Sequence, residues 1–161
     1  MNEPIAASAV QEFLVRHLAE VFSTMLSLPA VPLAEAALGD ATERVSGSVS
    51  FVGEIVTGSV YLHVPTAFAG LMTGAMLGLP PEETPGDAEV NDVVGEVTNM
   101  VAGGLKSWLC DAGATCALST PAIIRGTSFH IIASEGVARI QLGFASGAHQ
   151  GLVEVHIKFT R

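Results

Sequence analysis

The residues whose types and spacing could do chemistry lie in one segment, residues 87–111. Glu96 and Asn99 stand three positions apart, with Asp92 before them and Gly103 after them. Apolar residues recur in this segment at i, i+3, i+4 and i+7, which predicts an amphipathic helix. At about 100° per residue, the four named residues lie within roughly 60° of one another, opposite the apolar stripe. A carboxylate and an amide would then point outward beside a glycine that lets a partner approach.

The residue types on this face are unusual for an exposed helix surface. Such faces normally carry Lys, Glu, Gln and Ala, which combine solubility with helix propensity. Asn99 instead competes with the backbone for hydrogen bonds, and each of Gly103 and Gly104 costs about 1 kcal/mol relative to Ala. Something other than helix stability therefore favours them, although a solvent-exposed face with a chance Glu-x-x-Asn spacing remains the alternative.

Other familiar chemistries have no counterpart in the sequence. It contains no dinucleotide-binding glycine pattern, no phosphate-loop Gly-Lys-Ser/Thr and no Gly-x-Ser-x-Gly elbow. None of the five histidines is paired with another at i and i+4, so no metal site is expected. Cys110 and Cys116 are too few for a disulfide scaffold or a zinc site, and reduced thiols are expected.

Composition predicts one compact domain over residues 1–161. Apolar residues make up 49% of the chain and charged residues only 14%, which excludes disordered, collagen-like and coiled-coil classes. The net charge is −9 with no basic cluster, so nucleic acid is not expected as a partner. So few charges leave a face to be buried against a second copy, which favours a homo-oligomer.

A charge-free stretch at residues 56–81 is long enough to cross a membrane. Its Pro, Gly and Thr residues divide it into a strand-like half and a helix-like half, so no membrane association is expected. The acidic N-terminus lacks the basic region of a signal peptide. A cytoplasmic location is therefore expected.

The first half of the chain alternates between helical and strand patterns. Helical spacing runs through residues 5–28 and stops at Pro29, which cannot continue a helix. Period-two alternation over residues 44–52 and 55–64 predicts a hairpin. A second helix is predicted over residues 66–77, where three glycines four apart favour tight internal packing.

The second half begins with the long helix 87–111, for which Asp87 is the expected N-cap. Three or four strands follow, two of them with clear alternation. This order, without repeated strand-helix-strand units, predicts an α+β fold in which two long helices pack on antiparallel sheet. Each half opens with a long helix that leads into antiparallel strands, which suggests an internal pseudo-two-fold repeat.

The pattern Asp92-x3-Glu96-x2-Asn99, continued to Gly103 and followed by Pro121 at the head of the next strand region, resembles the signature of the CheC/CheX/FliY chemotaxis phosphatases, and CheX most of all. These proteins remove the phosphoryl group from an aspartate of the response regulator CheY. The resemblance implies that Asn99 orients the attacking water and that Glu96 pairs with a regulator lysine. Asp92 and Gly103 would contact the partner, with an ordinary solvated residue as the alternative for Asp92, and Mg²⁺ would belong to the regulator.

Two departures from the family pattern matter. Members with two active helices repeat Glu-x-x-Asn in the first helix, but residues 11–28 contain no Asn, so one site per chain is expected. Relatives often carry Asn where this chain has Gly104, for which we expect a packing consequence. The resemblance also implies a homodimer joined through its sheets.

Two alternatives to the phosphatase remain open. One is a non-catalytic adaptor of the same fold that binds a response regulator or another signalling partner. The other is a small-molecule sensor with the helix over residues 66–77 as a pocket wall, which no polar constellation in the sequence supports.

Overall fold

The computed structural model describes residues 5–36, 38–39 and 42–160. The acidic residues 1–4, on which the signal-peptide prediction depends, lie outside this part. The helices are α1 (Ala7–Val21), α2 (Thr66–Leu77) and α3 (Asp87–Asp111). The strands are β1 (Val31–Pro32), β2 (Arg44–Val52), β3 (Val56–Pro65), β4 (Ala117–Leu118), β5 (Ala122–Gly126), β6 (Ala138–Ser146) and β7 (His149–Phe159).

The seven strands form one antiparallel sheet in the order β1-β6-β7-β3-β2, and β4 and β5 both pair with the far edge of β2. Two hairpins, β2–β3 and β6–β7, meet in the middle of the sheet. There β3 pairs with β7 in a register that joins Val56 to Phe159. The predicted α+β fold with two long helices on an antiparallel sheet is confirmed.

The helices cover one face of the sheet, and the apolar side chains that alternate along the strands point toward that face. On β3, Val56, Val60, Leu62 and Val64 are buried, and on β7 the side chains of Val153, Val155 and Ile157 are buried. Side chains one position away point to the other face. The helix-side residues form one cluster with the apolar stripes of the helices.

Sequence signals at both ends of α3 explain its bounds. The N-cap is Gly86, whose backbone N–H donates to the Glu89 carboxylate at 3.1 Å. The prediction of Asp87 as the N-cap is wrong by one residue, because Glu89 reaches back to Gly86 and Asp87 begins the helix. At the other end, Gly113 has a φ of +94° and the Ala114 N–H donates to the Leu109 carbonyl at 2.8 Å. This is a Schellman motif, which lets the chain turn sharply.

The N-terminal helix is less regular than the periodicity predicts. Regular α-helix ends at Val21 and continues as one π-helical turn, Phe22–Leu26, in which Phe22 and Leu26 are both buried. Ser27 then takes a left-handed conformation with a φ of +53° and ends the helix before Pro29. The wider turn lets both large side chains reach the core.

The glycines of α2 do not serve internal packing, and that prediction is wrong. A Cβ added to Gly70 or Gly74 would meet no atom within 4 Å, and Gly78 lies past the end of α2, where its φ of +65° caps the helix. The core side of α2 consists instead of Phe68, Ala69, Met72 and Thr73. In the described part of the chain, no helix is both long enough and apolar enough to cross a membrane.

Candidate functional site

Helix α3 carries the four residues of the predicted site on its solvent side. Its stripe faces the core as expected, with Val90, Val93, Val94, Val97, Val101, Leu105 and Leu109 all buried. Asp92 and Glu96 are exposed, and Asn99 and Gly103 are partly exposed. The apolar face of α3 is thus fixed by packing against the core, and these four residues lie on the opposite, solvent-facing side.

The side chains of Asn99 and Glu96 are uncommitted. No described residue forms a hydrogen bond or ion pair with either of them, whereas Asn91 on the same helix accepts a 2.8 Å hydrogen bond from Arg125 Nε. Arg125 also donates to the Asp87 carbonyl at 3.3 Å. One asparagine of α3 therefore serves the fold, and the other is available to a molecule outside it.

The two adjacent glycines of α3 stand in opposite surroundings. A Cβ added to Gly104 would lie 2.0 Å from His17 Nε2, so an internal contact requires this glycine. A Cβ added to Gly103 would meet nothing within 4 Å. The packing consequence expected at Gly104 is confirmed. Gly103, in contrast, leaves the surface beside Asn99 without a protruding side chain, although no contact within the described chain requires a glycine there.

Strand β5 braces the N-terminal half of α3. Gly95 lies against it, since an added Cβ would be 3.5 Å from Pro121 Cβ and 3.8 Å from Ile123 Cδ1. Pro121, which belongs to the resemblance in sequence, therefore packs against Gly95, the residue before Glu96. The bond from Arg125 to Asn91 adds a polar anchor on the same edge.

Helix α1 braces the other part of α3 through His17, whose Nε2 lies 3.0 Å from the Met100 carbonyl. Sequence reasoning did not find this residue. No local signal could have shown it, because the bond joins residues 83 positions apart.

A second polar cluster lies on the opposite face of the sheet, apart from α3. His63 Nδ1 lies 2.6 Å from Ser46 Oγ, and Glu154 bonds to His156, Gln141 and Arg139 at 3.1 to 3.3 Å. Burial lowers the pKa of His63 to about 4. Burial disfavours the charged form of Glu154, but these hydrogen bonds outweigh it and lower the pKa of the carboxyl. The cluster holds a neutral imidazole beside a carboxylate.

Neither of two surface cavities involves α2, which the sensor alternative needed. One of about 550 Å³ lies between the β2–β3 turn and residues 113–117, and one of about 360 Å³ lies on the outer face of the sheet beside Tyr61 and Lys158. Within residues 5–36, 38–39 and 42–160, no group of three or more His, Cys, Asp or Glu side chains could hold a metal ion.

Comparison with protein families and solved structures identifies this arrangement. The model of the family described as chemotaxis phosphatase CheX matches residues 45–145, a span that contains the whole of α3. The chain belongs to the CheX family. The matched span includes Asp92, Glu96, Asn99 and Gly103. It begins at residue 45, after the end of α1, so it does not include that helix. Among curated protein sequences, none matches the chain.

Solved structures agree with the CheX family along nearly the whole chain. The chemotaxis protein CheX from Vibrio vulnificus is 31% identical, with a TM-score of 0.79 over 96% of this chain and all of that one. A CheC-like superfamily protein from Shewanella sp. PV-4 is 28% identical, with a TM-score of 0.78 over 92% of this chain and 97% of that one. At 21% identity, CheX of the Borrelia burgdorferi CheX-CheY-BeF3-Mg²⁺ complex shares the fold, with a TM-score of 0.66 over 94% and 98% of the two chains.

Proposed function

We propose that this CheX-family chain hydrolyses the aspartyl phosphate of a CheY-like response regulator through the exposed face of α3. The observation that carries the proposal is that Glu96 and Asn99 stand free on one helix face beside Gly103. Within the described chain these residues bring no visible benefit, because no described residue bonds to the two polar side chains and the glycine weakens the helix. They make sense if a second molecule docks there.

The reaction asks little covalent chemistry of this chain. Phosphoryl transfer depends mainly on positioning the attacking water in line and on stabilising charge around phosphorus. The carboxamide of Asn99 carries both an acceptor and donors, so it can hold a water in line with the phosphorus–oxygen bond. A general base is not needed in this scheme, and Glu96 and Asp92 are not assigned that role.

Glu96 is assigned to recognition. One helical turn from Asn99, its carboxylate can pair with a lysine of the regulator and so fix the position at which α3 enters. Asp92, a further turn away, extends the negative edge of the face. Gly103 leaves room for the partner's backbone on the far side of Asn99.

The metal in this proposal belongs to the partner. In the Borrelia complex, CheX is accompanied by CheY, beryllofluoride and Mg²⁺. We assign Mg²⁺ in the same way to the regulator of this chain and assign no cofactor to the chain itself. Its contribution is then an amide and a carboxylate delivered to a site that already holds the electrophile.

The test is the loss of phosphate from a panel of phosphorylated CheY-like receivers, with wild type beside Asn99→Ala and Glu96→Ala. Wild type should accelerate the loss for at least one receiver, and Asn99→Ala should reduce that acceleration at least about 100-fold. Asn91→Ala is the matched control, because it removes the same side chain from the same helix at a position committed to Arg125. It should stay within about twofold of wild type when assayed below its unfolding temperature.

Two outcomes would overturn the phosphatase proposal. If a receiver binds to the face but loses phosphate at its intrinsic rate, the chain is an adaptor. If Asn99→Ala keeps full activity, the water is held by another group. The cytoplasmic location and the homodimer joined through its sheets stay predictions.

A further inference from the structure

A stack of three aromatic rings joins α1 to α3 beside the proposed site. Phe13 of α1 stacks on Trp108 of α3, with ring centroids 5.3 Å apart and planes 20° apart. His17, one turn further along α1, stacks on Phe13 at 5.2 Å and 20°. The imidazole is therefore held in place by packing, and its nitrogens have a fixed direction.

That direction is toward the backbone of α3. His17 Nε2 lies 3.0 Å from the Met100 carbonyl oxygen. Because a carbonyl oxygen can only accept, Nε2 must carry the hydrogen. The other ring nitrogen, Nδ1, lies 4.0 Å from the Glu20 carboxylate. His17 thus donates one hydrogen bond across the helix–helix contact to the residue that follows Asn99.

The contact is built into the sequence of α3. Met100, Gly104 and Trp108 are spaced by four and lie along one edge of the helix, where they meet His17 and Phe13. A side chain at Gly104 would collide with the imidazole, since an added Cβ would lie 2.0 to 2.5 Å from three of its atoms. The absence of a side chain at Gly104 therefore leaves the space that the His17 imidazole occupies.

Both glycines weaken α3 where the proposed chemistry needs a fixed amide. Gly103 and Gly104 both make the helix less stable than alanines would, and no described residue bonds to the Asn99 side chain. The position of the Asn99 amide thus depends on the backbone of this turn alone. An external donor to the Met100 carbonyl restores rigidity to it.

We propose that His17 is a positioning residue for the phosphatase reaction. Its Nε2–H bond to Met100 holds the turn 99–103 so that the Asn99 amide meets the attacking water in line. The inference rests on the proposed function of Asn99. The helix that lacks the Glu-x-x-Asn motif then contributes to the single site by bracing it.

Two substitutions isolate the hydrogen bond from the ring stacking. His17→Gln places an amide donor where Nε2 stood and keeps the bond to Met100, whereas His17→Asn places it at the position of Nδ1 and loses the bond. Both lose the imidazole and its stacking on Phe13, and His17→Asn should be the less stable of the two because it also loses the hydrogen bond. His17→Asn should lower kcat roughly tenfold with KM unchanged, and His17→Gln should stay within about threefold of wild type.

A readout besides activity separates this inference from the proposed function. The side-chain amide resonances of Asn99 should shift or broaden in His17→Asn and match wild type in His17→Gln. If both variants lose kcat equally, or if the loss appears in KM, His17 is not a positioning residue. If wild type hydrolyses no receiver, the proposed function fails, and unchanged Asn99 resonances in His17→Asn would overturn the bracing role on their own.

Discussion

Arg125 Nε donates a 2.8 Å hydrogen bond to the Asn91 side chain, which ties strand β5 to helix α3 just before Glu96. Arg125 is also 3.7 Å from the Asp87 carboxylate, but Asp87 is 89% exposed. The half-buried hydrogen bond to Asn91 and the exposed ion pair with Asp87 can therefore be told apart by mutation.

Arg125→Gln should destabilise the protein by about 1 to 2 kcal/mol, because it leaves the Asn91 amide and the Asp87 carbonyl without their donor. Asp87→Asn removes only the exposed ion pair and should cost less than about 0.5 kcal/mol. Urea denaturation of both variants measures the difference. Equal losses would show that the ion pair, and not the bond to Asn91, anchors β5.

Opposite results are expected at the adjacent glycines of α3. Gly103→Ala should stabilise the fold by about 0.5 to 1 kcal/mol, because alanine is the better helix former and nothing obstructs its methyl group. Gly104→Ala should destabilise it by about 1 to 3 kcal/mol through collision with His17.

Receiver binding should not follow those stabilities. Gly103→Ala should weaken binding to a beryllofluoride-activated receiver roughly tenfold, or about 1.4 kcal/mol, since the methyl group occupies the approach beside Asn99. Isothermal titration calorimetry checks this. A stabilised Gly103→Ala variant with unchanged affinity would show that no partner comes close to that position.

Charge at Glu96 should govern recognition more than chemistry. Glu96→Gln keeps the shape of the side chain and should raise KM about tenfold with a smaller change in kcat, and the KM should depend less on salt than in wild type. Asp92→Asn is the matched change one turn away and should raise KM less than about threefold. A larger effect at Asp92 than at Glu96 would reverse the two assignments.

Acid should destabilise the protein through the polar cluster of His63 and Glu154 on the face of the sheet opposite the helices. The pKa of His63 is lowered to about 4, below its value of 6.5 in the unfolded chain, so the unfolded state binds the extra proton first. The stabilisation is complete above pH 6.5 and is lost as the pH falls toward 4, by about 3 kcal/mol. The lowered pKa of Glu154 acts in the same direction below its ordinary value of 4.5.

Denaturant titrations at several pH values check this dependence. His63→Asn places an amide where Nδ1 bonds Ser46 and removes the titrating group, so its stability should change less between pH 6.5 and 4. An unchanged slope in this variant would assign the acid sensitivity to other groups.

Helix α3 could be predicted almost to the residue because strong local signals agree. Its apolar stripe, the glutamate at its third position and the glycine past its end act over a few residues. The glycines of α2 show the limit of such reasoning. A stripe of small residues looks the same in a sequence whether a neighbour covers it or, as in the part of this chain that the structure describes, no neighbour does.

The residues of the candidate site also fall into those with a local sequence signal and those without one. Glu96 and Asn99 could be found from spacing because both lie on one helix. His17 and Arg125 could not, because each reaches α3 from an element distant in the chain. The π-helical turn Phe22–Leu26 was missed since helical periodicity does not show one extra residue in a turn.

The middle of the sheet joins strands that are far apart in the chain, with Val56 opposite Phe159. During synthesis, the hairpin β2–β3 is complete before α3 is made. The strands that α3 packs against therefore already exist when the helix forms. Helix α1 packs against β6, which is made after every helix. Helix α3 can therefore meet β2 and β3 as soon as it is made, whereas the contact of α1 with β6 forms only when the last hairpin closes the sheet.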